Sequence, residues 1–474
     1  MLTIADVLEA LTNFRPQAVT VITEAVIDSR QVIPGSLFVA IPGEKVDGHD
    51  FVGEAFKRGA SFALTQKDID ASFRTFDLHA VSSADSYLGI DLTPPLCLRV
   101  DNTVTALQQI ARFWRRKLDL RVIGITGSVG KSTTKEMVAE VLSTRYRTLK
   151  SPGNLNNEIG LPLTVLRLSP GHQHAVFEMG FYVPGEIAFL CDIAQPQVGV
   201  VTNVGTVHAE RAGSQEAIAR GKAELVQSLP PTPEGVAILN FDDSWVRKME
   251  EKTKARVFFY GLSPEADLWA DQVVGLGLEG IRFRMHYQGE TLHVKIPLIG
   301  RHSVHTALRA AAVGLVEGMN WQEILEGLSQ GHNQLRLAAV RSESGALLLD
   351  DTYNASPESM LAALNLLDEL SGRKVAVLGD MLELGPYERG GHEMVGLRAA
   401  QVARVLLTLG ERAHMIADAA RRVTRRTQTI IEFDELDPLV KWLKDNLTEE
   451  DVVLIKGSHG LRMDRITSSL EVRS

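Results

Sequence analysis

The segment Gly124-Ile-Thr-Gly-Ser-Val-Gly-Lys-Ser-Thr-Thr134 sets three glycines, a lysine and several hydroxyls between an apolar run and a helical pattern. Glycines at 127 and 130 let the backbone curl through Ser128 and Val129 until its N–H groups converge. A helix opening at Lys131 adds the positive partial charge of its N-terminus. Lys131 brings a full charge to terminal phosphates, and Ser132, followed by Thr133, offers a hydroxyl to a Mg²⁺ ion. The strict G-x-x-x-x-G-K-[ST] spacing is broken, because Ile125 stands at its first position. The bland alternative is a glycine-rich turn with a surface lysine.

Binding a triphosphate does not say what becomes of it. Transfer of a phosphoryl group needs charge neutralisation and an aligned acceptor. Glu178, closing the apolar stretch from His174, and His208, in TNVGTVHAERAGS, would both lie at C-terminal strand ends, where open α/β sheets bind ligands. A carboxylate and an imidazole there could hold a second divalent ion. Taken alone, His208 reads as structural and Lys222, in ARGKAEL, as an exposed helix lysine.

These residues need a framework, and the pattern around them supplies one. Helix Val104 to Leu118 precedes strand Arg121 to Thr126, the glycine turn and a helix from Lys131. Strands follow at Ala175 to Glu178 and Val198 to Thr202. Such alternation predicts a parallel, doubly wound sheet. Val257 to Ile296 is more strand-like and suggests an antiparallel edge or insertion. Before residue 100, short apolar stretches (Ser36 to Ile41, Ser61 to Thr65) are broken by turns, and Ser82 to Pro95 reads as loop. From Gly331 onward the alternation is regular. Strands are expected at Ala346 to Asp350, Lys374 to Leu378, Val405 to Leu409, Thr429 to Phe433 and Val452 to Ile455. Helices lie between them, one of them from Pro357. This is a Rossmann-like pattern without G-x-G-x-x-G, so no dinucleotide is implied. The expected fold class is α/β with three domains. They are a small mixed unit over 1–100, a central phosphate-loop parallel-sheet unit over 101–330, and a Rossmann-like unit over 331–474.

At 474 residues, several domains are the fair expectation. Fifty basic against 59 acidic residues give a net charge of -9, which argues against a general nucleic-acid binder. The basic runs Arg112 to Lys117 and Arg421 to Arg426 read as solvated helix faces. Cys97 and Cys191 are too few and too far apart for a disulfide framework and read as core thiols. The N-terminus is acidic and amphipathic rather than a signal peptide, and no apolar run reaches membrane-spanning length. A cytoplasmic location is the default.

In order and spacing, TGSVGKST, the strand-end Glu178, TNVGTVH and the Lys222 context G-K-A-E resemble the Mur ligase family. Residues 28–52, DSRQVIPGSLFVAIPGEKVDGHDFV, resemble that family's nucleotide-sugar module. DDTYNASPESM at 350–360 and VLGDMLELG at 377–385 resemble its branch that adds D-alanyl-D-alanine, and the D-N-P-R string of a sister branch is absent. The resemblance spans nearly the whole chain. It implies ATP-dependent amide formation through an acyl phosphate, with UDP-N-acetylmuramoyl-tripeptide and D-alanyl-D-alanine as partners. It further implies that Glu178, His208 and Ser132 hold Mg²⁺, with Lys222 carbamylated to join them. Arg336 and Asp351 would touch the nucleotide, and Asn354, Ala355 and Pro357 the dipeptide. Ser29, Arg30, Asp47, Gly48, His49 and Asn157 would serve the nucleotide-sugar substrate. A monomer is expected.

The chain departs from the family pattern in places. A G-x-H-N-x-x-N stretch reads Gly300-Arg-His-Ser-Val-His-Thr306 here. Ser303 and Thr306 thus replace carboxamides expected near the nucleotide, with shorter reach. Val129 stands where Asn is common, and Ser356 replaces a second Asn. Two competing readings remain: a related ligase, such as one extending folate with glutamate, and a nucleotide-switched binding protein.

Overall fold

The computed structural model describes residues 1–474 apart from 71, 88–90, 208, 331–337, 353, 425–427 and 472–474. Three sheets follow one another along the described chain. The first contains β1 (Ala25–Val26), β2 (Leu37–Val39), β3 (Phe62–Thr65), β4 (Thr75–Asp77) and β5 (Leu96–Arg99). All its pairings are parallel, in the order β1-β2-β3-β5-β4. Ahead of it, Thr3 and Asp6 form a capping box that starts helix Ile4–Thr12, as the amphipathic N-terminus predicts.

The second sheet holds nine strands. They are β6 (Arg121–Thr126), β7 (Thr148–Lys150), β8 (His174–Glu178), β9 (Val198–Val201), β10 (Val236–Asn240), β11 (Arg256–Gly261), β12 (Leu268–Gly275), β13 (Ile281–Tyr287) and β14 (Glu290–Ile296). Their order is β14-β13-β12-β11-β10-β9-β6-β8-β7. From β7 to β12 the pairing is parallel; β12, β13 and β14 are antiparallel and form the expected edge. Side chains of β6 alternate between two cores, as the period of a strand requires. Ile123 and Ile125 pack with Val138, Leu142, Ala307 and Ala311 of helices Lys131–Ser143 and Ser303–Val316. Val122 faces the other side, with Leu107 and Leu225. Both faces are covered, so the strands read as continuous apolar runs.

The third sheet comprises β15 (Ala338–Arg341), β16 (Leu347–Asp350), β17 (Arg373–Gly379), β18 (Val405–Leu409), β19 (Thr429–Phe433) and β20 (Asp451–Lys456). The order is β15-β16-β20-β17-β18-β19, parallel but for the antiparallel edge strand β15. Cores again alternate, with Ala376 and Leu378 on one face and Val375 and Val377 on the other.

Most predicted elements appear within a residue or two. The strands β1, β4, β5, β7, β10 and β15 were not among them; five of the six have four residues or fewer, or lie at an edge. One surface reading needs correction. In the run Arg112 to Lys117, Arg115 is 3% exposed, and its guanidinium donates to the carbonyls of Ala194, Leu118 and Leu120. The chain turn after the helix leaves the Leu118 and Leu120 oxygens inside, the end of helix Glu186–Ala194 adds that of Ala194, and Arg115 satisfies all three. Cys97 and Cys191 are free and buried.

Candidate active site

The phosphate loop joins β6 to helix Lys131–Ser143. Gly127 has φ +146°, and a Cβ there would stand 1.8 Å from Thr202 Oγ1, so only glycine fits. The segment after β9 grips the loop from below. Thr202 Oγ1 and Asn203 Nδ2 donate to the Val129 carbonyl, and Asn203 Oδ1 accepts from the Val129 N–H at 2.9 Å. Ser128 Oγ accepts from the Gly205 N–H at 2.8 Å. Position 129 is thus held through its backbone, so Val in place of Asn costs none of these bonds. Lys131 Nζ donates to the Gly127 carbonyl at 2.8 Å, folding the side chain over the loop.

Ser132 and Glu178 meet directly. Ser132 Oγ donates to Glu178 Oε2 at 2.6 Å, and Asn156 Nδ2 donates to Oε1 at 2.9 Å. Glu178 is 2% exposed at the end of β8. A buried carboxylate beside a hydroxyl is a hard-oxygen donor set, which suits Mg²⁺. His208 and Arg336 lie outside the described residues.

Lys222 is not the exposed helix lysine that its local context suggests. Helix Gln215–Gln227, capped by Ser214, carries it inward to 1% exposure. Its Nζ lies 5.0 Å from the Phe181 ring centre. Burial, and then the charge of Lys131, holds its pKa well below the ordinary lysine value.

Across from the loop, the third sheet contributes Asp351 and Asn354. Between them and the loop lies a cavity of about 360 Å³. Its walls include Ser128, Val129, Gly130 and Thr133 on one side and Asp351, Asn354 and Lys456 on the other. Lys456, at the end of β20, is 2% exposed and lies 2.7 Å from Asp351 Oδ2; it also donates to the Asn354 carbonyl. Ser303 and Thr306 do line the cavity, but Ser303 Oγ is turned to the Ile299 carbonyl. His302 and His305 line it too. His302 is exposed and His305 half-buried; neighbouring protein atoms, and then the charge of Arg309, lower both to about 4. Ser356 caps helix Pro357–Glu369 through a capping box with Ser359, a duty that Asn performs equally. Ala355 is buried beneath that turn.

The third unit rests on the central one. Glu358 Oε1 accepts from the Thr206 N–H at 3.4 Å, the Glu210 N–H reaches the Glu383 carbonyl, and Arg301 pairs with Glu369 at 3.1 Å.

The residues expected to serve a nucleotide sugar form a separate group. Ser29 is buried on a single helical turn, and exposed Arg30 pairs with Asp28. Asp47 accepts from His49 and pairs with Lys67. His49 is buried; its Nε2 accepts from the Gln66 N–H, so its proton sits on Nδ1 facing Asp47. Gly48 is held to the Ile41 carbonyl. Asn157 is exposed and its Oδ1 accepts from the Gly160 N–H. None of these lines the cavity.

Sequence reasoning overlooked Asn156, Asn203, Arg309 and Lys456. Two of them leave a trace: Lys456 ends an otherwise apolar run, VVLIK, and Arg309 interrupts the small apolar stretch ALRAAAV.

A loop that cradles phosphates beside a metal-ready carboxylate, facing a second α/β unit across a cavity, is the build of a nucleotide-dependent ligase. Residues 21–115 match the catalytic domain of the Mur ligase family, 125–314 its middle domain and 335–459 its glutamate ligase domain. The chain is 35% identical over 457 residues to the UDP-N-acetylmuramoyl-tripeptide–D-alanyl-D-alanine ligase of Bacillus subtilis, covering 95% of this chain and 93% of the relative. The enzyme of that name from Escherichia coli is 33% identical, over 94% and 92%. A crystal structure of MurF from Acinetobacter baumannii superposes with a TM-score of 0.82 at 30% identity, over 99% and 98%. MurF ligase of Thermotoga maritima in complex with ADP gives 0.77 at 28% identity, over 97% of each chain. The chain belongs to the Mur ligase family. It is an ATP-dependent ligase that forms a carbon–nitrogen bond.

Proposed function

We propose that this chain joins D-alanyl-D-alanine to UDP-N-acetylmuramoyl-tripeptide in the synthesis of a peptidoglycan precursor. The observation that carries the reading is the cavity itself, with Ser128 to Gly130 and Thr133 of the phosphate loop and its helix at one wall and Asp351 and Asn354 at the other, and the Ser132–Glu178 contact at the start of the same helix. The relatives named above support the choice of substrates.

The tripeptide's terminal carboxylate attacks the γ-phosphorus of ATP, ADP leaves, and an acyl phosphate forms. The dipeptide amine then attacks the acyl carbon. Phosphate departs with both electrons of the C–O bond, and the amine loses a proton. Lys131 and the loop N–H groups offset charge on the transferring phosphoryl group. Ser132 and Glu178, with His208 and Lys222, would hold Mg²⁺, which neutralises phosphate charge when bound. Lys222 joins this set as a carbamate: a buried, neutral amine can take up CO₂ and present oxygens that an ammonium lacks. The first unit grips the nucleotide sugar through the loops carrying Ser29, Arg30 and Asp47 to His49, with Asn157 beside it. The third brings the dipeptide, near Asn354, Ala355 and Pro357, and Arg336 and Asp351 reach the nucleotide. Contact of the third unit with the central one excludes water from the acyl phosphate, which would otherwise hydrolyse. Alignment of the amine is worth up to roughly 7–11 kcal/mol in favourable cases. The enzyme acts as a cytoplasmic monomer; no described helix is long and apolar enough to cross a membrane.

The test is phosphate release with the nucleotide-sugar tripeptide, with and without D-alanyl-D-alanine, and with glutamate in its place. Release should require the dipeptide. A heavy-oxygen label in the tripeptide carboxylate should appear in the released phosphate. Turnover independent of any amine, or preference for glutamate, refutes the assignment.

A further inference from the structure

Arg309 has no task in the reaction just outlined, yet its surroundings are unusual. It extends from helix Ser303–Val316 into the cavity wall and is 4% exposed. Nη2 donates to Thr306 Oγ1 at 2.9 Å and Nη1 to the Tyr260 hydroxyl at 3.4 Å. Nε has no partner among the described residues. Both hydrogen-bond partners are neutral, and no ion pair among the described residues includes Arg309. The carboxylates nearby are engaged elsewhere, Asp242 facing His305 at 3.7 Å and Asp351 facing Lys456.

A buried cation is costly unless an opposite charge answers it. The position of this one says where the answer comes from. Its Nη2 would lie 3.3 Å from a Cβ on Gly130, so the guanidinium is pressed against the phosphate loop. Its other neighbours in the cavity, His302 and His305, are kept neutral. Of the parts of a nucleotide, only the phosphates carry negative charge; base and ribose offer dipoles. The helix also carries short hydroxyls at 303 and 306 where the family pattern has carboxamides, and Thr306 is already bonded to Arg309. We propose that Arg309 is a nucleotide-anchoring residue, answered by a phosphate oxygen of bound ATP or ADP. It would supply affinity that Ser303 and Thr306 are too short to draw from the base. The inference rests on reading this cavity as the nucleotide site.

Calorimetric titration with ADP and with inorganic tripolyphosphate tests it. The proteins are wild type, Arg309→Gln, Arg309→Lys and Lys131→Ala, each checked for fold by thermal unfolding. Gln keeps a donor toward Thr306 or Tyr260 and removes the charge. Arg309→Gln should weaken both ligands by about tenfold or more. Arg309→Lys should bind both more tightly than Arg309→Gln. A tripolyphosphate affinity within about twofold of wild type overturns the proposal: with ADP weakened, the contact is to the base, and with ADP unchanged, Arg309 is merely structural. If Arg309→Gln does not fold, Arg309→Met is the second charge-free variant and the same tripolyphosphate criterion applies. Lys131→Ala separates the two readings. Loss of ADP binding in Lys131→Ala without loss in Arg309→Gln sinks only the role of Arg309. No loss in either sinks the nucleotide site.

Discussion

Lys456 of the third sheet and the pair Lys222 and Arg309 of the central unit are all almost wholly removed from solvent, but they keep different company. Lys456 lies against Asp351 at 2.7 Å and spends a second donor on the Asn354 carbonyl. Lys222 has an aromatic face and the repulsion of Lys131; Arg309 has two neutral oxygens. Among the described residues no carboxylate pairs with either. The third unit thus answers its buried lysine with a carboxylate of its own, whereas the central one relieves Lys222 by holding its pKa down and leaves the charge of Arg309 in the cavity wall. Buried unpaired charge is unfavourable in isolation, so it marks the side of the cavity built to receive an anion. The paired side shapes the wall.

The largest effect is expected where the central unit meets phosphate. Lys131→Ala should lower ligation by at least about 10²–10³-fold, the loss seen for single donors to developing charge. Its fold should survive, because Lys131 is only partly buried and packs little. Near-normal turnover in a folded variant would end the phosphate-loop assignment. Lys222→Ala should be nearly inactive and partly restored by small carboxylates that fill the missing oxygen positions. Lys222→Arg should not recover, since a guanidinium offers no acceptor. Full activity of Lys222→Arg, with plain lysine seen in the mass of CO₂-exposed enzyme, would remove the carbamate.

The paired side should respond through stability. Lys456→Met removes a buried ion pair from Asp351, whose side chain is 18% exposed and so only partly compensated by water. We expect a loss of about 2–3 kcal/mol in denaturant unfolding. Arg309→Gln should cost no stability and should raise it, because it removes an unanswered buried charge and strands no partner. Equal losses in the two variants would erase the distinction between the units.

How much of this was readable beforehand depended on the range of the interactions. The phosphate loop announces itself because its constraints are local: φ at Gly127, the helix start at Lys131 and the strand before them are set within ten residues or so. β6 and β8 were legible as well, since both faces are buried and the runs are uninterrupted. Short strands such as β7, with only three partly buried residues, offer no period to detect. The depth of Lys222 was invisible, because a helix shows which face a residue occupies but not what packs on it. The Lys456–Asp351 and Asn203–Val129 contacts join residues far apart in sequence, and only the fold brings them together.

A smaller effect is expected at the dipeptide side. Asn354 offers its carbonyl to Lys456 and its Oδ1 to the Ala355 N–H, and it lines the shared cavity. Asn354→Ala leaves the backbone contact to Lys456 in place. It should therefore raise the dipeptide KM or lower kcat while ADP affinity stays near wild type. The reverse, with ADP binding lost and dipeptide kinetics normal, would exchange the roles assigned to the two walls.

The smallest effect concerns pH. Neighbouring protein atoms, and then the charge of Arg309, lower His302 and His305 to about 4 in the folded protein, although His302 is exposed and His305 half-buried. An unfolded histidine titrates near 6.5. Between those values the unfolded chain takes up protons that the folded protein refuses. Stability from these two groups is therefore complete above about pH 6.5 and is lost as pH falls toward 4. Lys456 also disfavours a charge on His302, while Asp242 at 3.7 Å from His305 opposes the trend in part. Asp242 and the other acid-sensitive groups are common to wild type and variant, so they cancel in a comparison. A His302→Asn, His305→Asn protein should lose less stability than wild type between pH 6.5 and 4, with the two curves parallel above pH 7. Parallel curves throughout would mean that both imidazoles accept protons in the folded state and that the cavity around them is open to water.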